Sequence, residues 1–303
     1  MFVGVARNYK EGMRFVDGFE SPTLSSGTAL LDIREAADNR LTVEVLPSQG
    51  ASHGKGKLIM VSGSFYIAKG KHSKPQGEDA HFICVEKQTI AVADGVGGCS
   101  RKGIDAGIYA RQLMENAVKI LLNEPGDNVD LCTLLYEAYL KTRAQGSSTA
   151  CIIALLDNSL RAVNVGDSGF MLIRKGEVIY QSPIQQHSFN YPYQLECDEV
   201  DSSPSYAEEF VIAVESGDVV IAGTDGLFDN LFATQIEEVA RAGIQQGLDP
   251  QDVAWTIAQH AYHISIDNNA FTPFAQASTK AGRIRQGGKS DDITVIVSYI
   301  IDA

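Results

Sequence analysis

Paired cysteines are missing from this chain. Its five cysteines, Cys84, Cys99, Cys132, Cys151 and Cys197, are odd in number and none sits in a C-x-x-C pair. That argues against a disulfide framework and against a zinc knuckle, and it points to a reducing, intracellular compartment. Positive charge is scarce as well: 25 Lys and Arg face 38 Asp and Glu, a net charge of -13. A basic footprint for nucleic acid is therefore absent. No apolar run approaches the roughly 18 residues that a membrane span requires. The first residues mix Arg7, Lys10 and Arg14 with Glu11, Asp17 and Glu20. They lack a signal-peptide apolar region and are too acidic for a transit peptide, so cytoplasm, mitochondrion and chloroplast all stay open. Internal repeats and low-complexity tracts are lacking too.

What the chain does have is a core. Of 303 residues, 44% are hydrophobic, enough for one large domain or two small ones. Residues 1–57 are weakly patterned, with one short strand candidate at Leu41–Val45, and read as an N-terminal extension of unclear role. From residue 58 to 303 the texture is that of a folded domain. Short β-branched or aromatic runs at Ser64–Ala68, Ala80–Glu86 and Thr89–Ala93 predict strands. Ile104, Ile108, Tyr109, Leu113, Ala117, Ile120 and Leu121 recur at helical spacing, and a second helix is expected from about 130 to 143. Strands resume at Thr149–Leu156, Arg161–Val165, Phe170–Arg174 and Val178–Tyr180, the first and last pairs joined by hairpin turns at Asp157-Asn158 and Lys175-Gly176.

Residues 183–207 read as a surface excursion, and Asp218–Gly223 as a buried strand. Two helices follow. One begins at a capping box, Thr234 to Glu237, and the other at Asp249-Pro250, a cap followed by Pro at the first helical position. Trp255, on the latter, is expected in the core. Ile293–Ile300 is the last strand. Strands and helix pairs alternate in blocks, not singly. The expected fold class is therefore α+β, a layered sandwich of antiparallel sheets with helix pairs outside.

Acidic residues recur where apolar strands meet polar or glycine-rich turns. They are Glu78-Asp79, Asp94-Gly95, Asp225-Gly226 and Asp291-Asp292. A carboxylate at a strand mouth is partly desolvated and wants a partner. Lys and Arg are scarce beside these positions in the sequence, so a hard cation such as Mg²⁺ or Mn²⁺ is the economical one. An isolated Asp-Gly is also an ordinary turn. On the residues alone, a cation site and a set of turns both remain open. Gly166-Asp167-Ser168-Gly169 has the look of a serine-protease nucleophile turn, but Phe170 follows it and no His lies in a matching context. His81 is expected to pack or lie at the surface, and His187 is a candidate for substrate contact. Cys84 and Cys151 lie on apolar strands and are expected in the core.

Taken in order, six blocks resemble the metal-dependent protein phosphatase family, type 2C. They are Gly77-Glu78-Asp79, Val92-Ala-Asp94-Gly-Val-Gly-Gly98, Gly146-Ser-Ser-Thr-Ala150, Val163-Asn-Val-Gly-Asp167-Ser168, Thr224-Asp225-Gly-Leu-Phe-Asp229 and Ser290-Asp291-Asp292-Ile-Thr-Val-Ile-Val297. Gln185 to Leu195, Asp225 to Asn230, and Thr272 to Gln276 ahead of Gly287 to Asp292 resemble its compact, organelle-associated branch.

The resemblance implies a four-layer α-β-β-α sandwich with two central antiparallel sheets. It implies a phosphatase acting on phosphoserine and phosphothreonine in proteins, through a water activated between two cations. Asp94 would bridge two Mg²⁺ or Mn²⁺ ions, with the Gly95 carbonyl and Glu78 on one and Asp225 and Asp291 on the other. Asp167 and Asp229 match the ligands of a third, weaker ion. Two positions depart from the family pattern. Lys74 stands where a phosphate-binding Arg is expected, and it keeps the charge but loses the bidentate fork. Val96 stands where larger members carry a His proposed as general acid. These departures leave a catalytically weak or dead phosphatase-fold binding protein as the alternative reading.

Overall fold

The computed structural model describes residues 43–45, 56–69, 76–97, 103–126, 129–196 and 206–303, with the backbone alone at 43–45. The chain begins with strands β1 (Val43–Val45), β2 (Leu58–Ile67), β3 (Asp79–Cys84) and β4 (Thr89–Asp94). Helices α1 (Ala106–Asn123) and α2 (Leu131–Lys141) follow. Then come β5 (Ser147–Ser148), β6 (Ala150–Leu156), β7 (Ser159–Val165), β8 (Gly169–Arg174) and β9 (Glu177–Gln181). The excursion holds β10 (Gln186–Ser188), β11 (Tyr191–Pro192) and β12 (Leu195–Glu196). Next are β13 (Glu208–Ala213), β14 (Val219–Gly223), α3 (Asp225–Phe228), α4 (Ala233–Gln245), α5 (Pro250–Ser265), α6 (Pro273–Lys280) and β15 (Ile293–Asp302).

Two sheets form the centre. One has the order β1-β13-β7-β6-β4-β3 and the other β2-β15-β14-β8-β9. Pairing within both is antiparallel, except that β1, from the segment read as an extension, adds parallel to β13. Three apolar clusters separate the layers. Phe82, Leu113, Leu135 and Ile152 fill the space between the first sheet and α1/α2. Ile90, Ile153, Phe170 and Val220 lie between the sheets. Ile221, Ile236, Ile257 and Val295 pack the second sheet onto α4/α5. This is the expected α-β-β-α sandwich. Its strands are buried on both faces in the middle, which is why β6 reads as a continuous apolar run, all buried.

Three local readings need correction. The helix at 233 is not capped by Thr234. Gln235 Oε1 accepts the Phe232 N–H at 2.9 Å, which is half of a capping box, while Glu237 instead accepts the Val178 N–H and pairs with Arg241. Trp255 is 36% exposed and not core. Helix α5 buries Val253, Ala254, Ile257, Ala258 and Ala261, and residue 255 falls off that stripe. Ile108 likewise lies outside the buried face of α1, at 53% exposure. Strand β13 and helix α6 are additions to the sequence reading. The α6 start carries the same signal as Asp249-Pro250: Thr272 Oγ1 accepts the Ala275 N–H, with Pro273 at the first turn.

Candidate metal centre

Strand ends and one short helix bring the acidic residues to one edge of the sandwich. Asp94 ends β4 and is the register partner of Asp79 at the start of β3. Side chains alternate along a strand, so the adjacent Glu78 and Asp79 serve different purposes. Asp79 is fully buried and points between the sheets. Its Oδ2 accepts the hydroxyls of Thr224 and Thr294, both at 2.7 Å, which fastens β3 to the β14–α3 junction and to β15. Glu78 donates its N–H to Asp292 Oδ2 at 2.8 Å, and its carbonyl accepts the Gly95 N–H at 3.0 Å. The Glu78 carboxylate lies close to Gly97, where a Cβ would stand 3.6 Å from Oε2. A Cβ at Gly95 would crowd the Glu78 carbonyl, at 2.6 Å, and the Ala106 backbone. Asp292 is a buried brace: it also accepts from the Tyr66 hydroxyl at 3.0 Å and the Lys69 N–H at 2.6 Å.

Asp225 opens α3, and Asp229 caps its other end. The two carboxylates meet on the ammonium of Lys289, which also lies 3.3 Å from Asp291 Oδ2. Lys69 approaches Asp291 from the other side at 3.0 Å. This overturns the argument that cationic side chains are scarce at these acids. Lys289 is far from Asp225 and Asp229 in the chain, and the fold delivers it. Asn230 is the clamp: its Oδ1 accepts the Lys289 N–H, and its Nδ2 donates to the Lys289 carbonyl and to Gly226. Gly287, at φ +82°, passes so near Asn268 that a Cβ would meet backbone at 2.7 Å. The Gly287-Gly288-Lys289 run was the available signal for this approach.

The centre is electrostatically strained. Asp94 and Asp291 have their proton affinities raised, first by burial and then by the Asp225 charge. Asp167, on the β7–β8 turn, is pushed up to about 8 by burial and then by Asp225, although Gln186 donates to its Oδ2 at 2.8 Å. Burial, then Asp225, also lifts Asp229 to about 6, against the pull of Lys289. Burial opposes the Lys289 charge, but Asp225, Asp229, Asp291 and Asp167 together outweigh it and hold the ammonium firmly charged.

Of the residues expected from sequence, Asp94, Asp167, Asp225, Asp229 and Asp291 share this field, and Glu78 and Gly95 border it. Lys74 lies outside the described residues. The carboxylates ring Lys289 and do not close onto one point. Among the described residues, the three ligand-type side chains whose atoms all lie within 4.8 Å are Asp130, Cys132 and Glu209, elsewhere in the fold.

A hard divalent cation fits this donor set. Every side-chain donor is a carboxylate oxygen, with no thiol or imidazole among them. The buried Oδ1 atoms of Asp167 and Asp225 have no hydrogen-bond partner. Among the described residues, five carboxylates, those of Asp94, Asp167, Asp225, Asp229 and Asp291, face two ammonium groups, so more positive charge is called for. Two other candidates fall away. Ser168 of the protease-like turn is 1% exposed and bonded to Thr149 Oγ1 at 2.7 Å. His81 is buried with Nε2 on Ser64 Oγ at 2.9 Å. His187 is exposed, its ring centroid 4.2 Å from that of Tyr193, and keeps its place as a candidate for substrate contact. Cys84 and Cys151 are buried, as expected.

A pH signature follows from Asp167 and Asp229. Both hold a proton more tightly when folded than when unfolded, where a carboxyl titrates near 3.8. The stability they contribute is complete at acid pH and is lost as pH rises through about 6 and about 8. Melting in EDTA should therefore fall between about pH 4 and about pH 8, and the gain on adding Mn²⁺ should widen over the same range. Melting curves at matched ionic strength check both trends.

The profile of the family described as Protein phosphatase 2C matches residues 69–255. Probable protein phosphatase 2C 55 of Arabidopsis thaliana is 45% identical over 293 residues, covering 95% of this chain and 62% of that relative. Probable protein phosphatase 2C 80 of Arabidopsis thaliana is 46% identical over 244 residues, with 80% and 59% covered. The chain thus spans about three fifths of the length of these curated relatives. Among solved structures, the photosystem II phosphatase PBCP matches with a TM-score of 0.74 at 30% identity, over 80% of this chain and 100% of that one. The catalytic domain of the serine threonine protein phosphatase PstP, in complex with two manganese ions, matches at 0.59, over 81% of this chain and 100% of that one. At 17% identity that likeness speaks to the fold alone. The six ordered sequence blocks, the four-layer sandwich and these matches agree: the chain belongs to the protein phosphatase 2C family.

Proposed function

We propose that this chain is a metal-dependent phosphatase that removes phosphate from phosphoserine and phosphothreonine in protein substrates. The catalytic unit is residues 58–303, with 1–57 as an extension. The observation that carries the reading is the common field of Asp94, Asp167, Asp225, Asp229 and Asp291, buried or half-buried and, among the described residues, short of positive charge. Asp94, Glu78, the Gly95 carbonyl, Asp225 and Asp291 would hold two Mg²⁺ or Mn²⁺ ions, and Asp167 and Asp229 a further one. Bound there, such ions supply an acidified water as nucleophile and offset charge on the phosphoryl oxygens. The chain's own groups do the rest. Lys289, held charged at the centre, attracts the phosphoryl dianion, and Lys74 is expected to help as a point charge. Val96 has no proton to give, so the leaving oxygen is protonated from solvent. Among the described residues no cysteine is placed as a nucleophile, since Cys84, Cys132 and Cys151 are buried thiols. The described residues include no helix long and apolar enough to cross a membrane. We place the enzyme inside the cell, acting on phosphoproteins.

The competing reading, a binding protein on the same fold, draws on Val96 and on Lys289 sitting among the ligands. Hydrolysis of p-nitrophenyl phosphate and of a phosphothreonine peptide, with Mn²⁺ and with EDTA, separates the two. The phosphatase reading expects turnover of both substrates with Mn²⁺, none in EDTA, and a loss on the order of 10³-fold in Asp94→Asn. Turnover that survives EDTA contradicts the metal. Turnover of the small ester alone contradicts the protein substrate.

A further inference from the structure

Beside the acidic centre lies a second, oppositely charged feature. The segment 281–286, between α6 and Gly287, is exposed throughout, and Ile284 at its middle is 95% exposed. Arg283 and Arg285 flank that isoleucine. Arg283 Cζ lies 5.4 Å from the Phe189 ring centroid, and Arg285 Cζ lies 5.8 Å from that of Phe274. The two rings pack at 5.1 Å. Phe274 also faces Lys289, whose Nζ is 5.5 Å away, so a single ring separates the centre from Arg285. Phe189 belongs to the β10–β11 hairpin, which Gln186 ties to Asp167. Ser278 holds the loop, accepting the Arg283 N–H and donating to its carbonyl.

Three arginines elsewhere on the described chain are ion-paired: Arg174 with Asp218, Arg241 with Glu237 and Arg111 with Asp105. Arg283 and Arg285 have no ion pair among the described residues, in a chain of net charge -13. An arginine laid on an aromatic face keeps its N–H edge free for a bidentate carboxylate.

We infer that Arg283 and Arg285, seated on Phe189 and Phe274, form a rim that selects phosphorylated segments carrying acidic residues beside the phosphorylated one. The inference rests on the phosphatase reading of the same centre and names its substrate class. The carboxylates of the centre repel such a segment, and the rim supplies the attraction that registers it. Ile284 offers an apolar contact between the two cations.

The test uses two fluorescent phosphothreonine peptides, one flanked by Asp and Glu and one by Gly and Ser, with the full chain and its R283A/R285A variant. Both substitutions lie on an exposed loop. Wild type should favour the acidic peptide about tenfold in kcat/KM, mainly through KM, with the preference shrinking as salt is raised. The variant should bring the ratio close to unity. A wild-type ratio near unity, or a variant that keeps the wild-type ratio, overturns the inference. Fluorescence anisotropy on the same peptides separates this from a failure of the phosphatase reading. If neither peptide is hydrolysed, that reading fails, while arginine-dependent binding of the acidic peptide still supports the rim and its absence overturns it.

Discussion

Replacing Asp225 with Asn is expected to raise the melting temperature of the metal-free protein while nearly abolishing its activity with Mn²⁺. Asp225 is the repulsive hub of the centre: its charge raises the proton affinities of Asp79, Asp94, Asp167, Asp229 and Asp291. Its own Oδ1 is buried without a partner. Asn keeps the shape and can keep a hydrogen bond to Lys289, yet removes the charge. At pH 8 in EDTA the relief should be about 1–2 kcal/mol, or about 5 °C. With Mn²⁺ the same change removes a proposed metal ligand, and kcat/KM should fall on the order of 10³-fold. Differential scanning calorimetry and turnover assays on one preparation check the two halves. A structural role alone would lower stability and activity together.

The opposite pattern is expected for Lys289→Met. This ammonium is the shared partner of Asp225, Asp229 and Asp291. Removing one side of a buried charge cluster leaves the other side uncompensated, which typically costs about 3 kcal/mol or more. Metal-free protein should therefore melt about 6 °C lower. Lys69 then reaches Asp291 alone, so divalent cations are the main further source of positive charge, and the stabilisation by Mn²⁺ should exceed that of the wild type. Melting curves against Mn²⁺ concentration read both effects. A variant that melts like wild type in EDTA would mean that Lys289 does not neutralise the cluster.

These two residues also mark how far the sequence could be read. Asp225 was visible because it ends an apolar strand and precedes Gly226, a position where a Cβ would collide with the Asp292 carbonyl. Strand mouths, periodic helices and Asp-Pro starts are local signals, and the sandwich with its acidic strand ends followed from them. Lys289 was not visible in that way. Its contacts with Asp225 and Asp229 cross about sixty residues and depend on Asn230 and on the Gly287-Gly288 approach to α5. Along the chain, the Gly287-Gly288 pair before it is the signal that hints at them. Glu78 and Asp79 show the same limit at close range. Adjacent carboxylates look alike in sequence, but the pleat sends Asp79 to the Thr224 and Thr294 hydroxyls and leaves Glu78 at the border of the centre. Trp255 misled for a related reason, because its size suggests burial while its position on α5 lies off the apolar stripe.

The family resemblance supplied roles that geometry alone leaves open. Physical reading adds that this centre already contains cations of its own, so incoming metal ions must compete with them. Electron paramagnetic resonance of Mn²⁺ titrated into the purified chain measures that step without any substrate. The account predicts more than one bound ion per chain at pH 8, weaker binding as pH falls towards 6, and loss of binding in Asp94→Asn. An unbroken free-ion signal, or an Asp94→Asn protein that binds Mn²⁺ as wild type does, would contradict it.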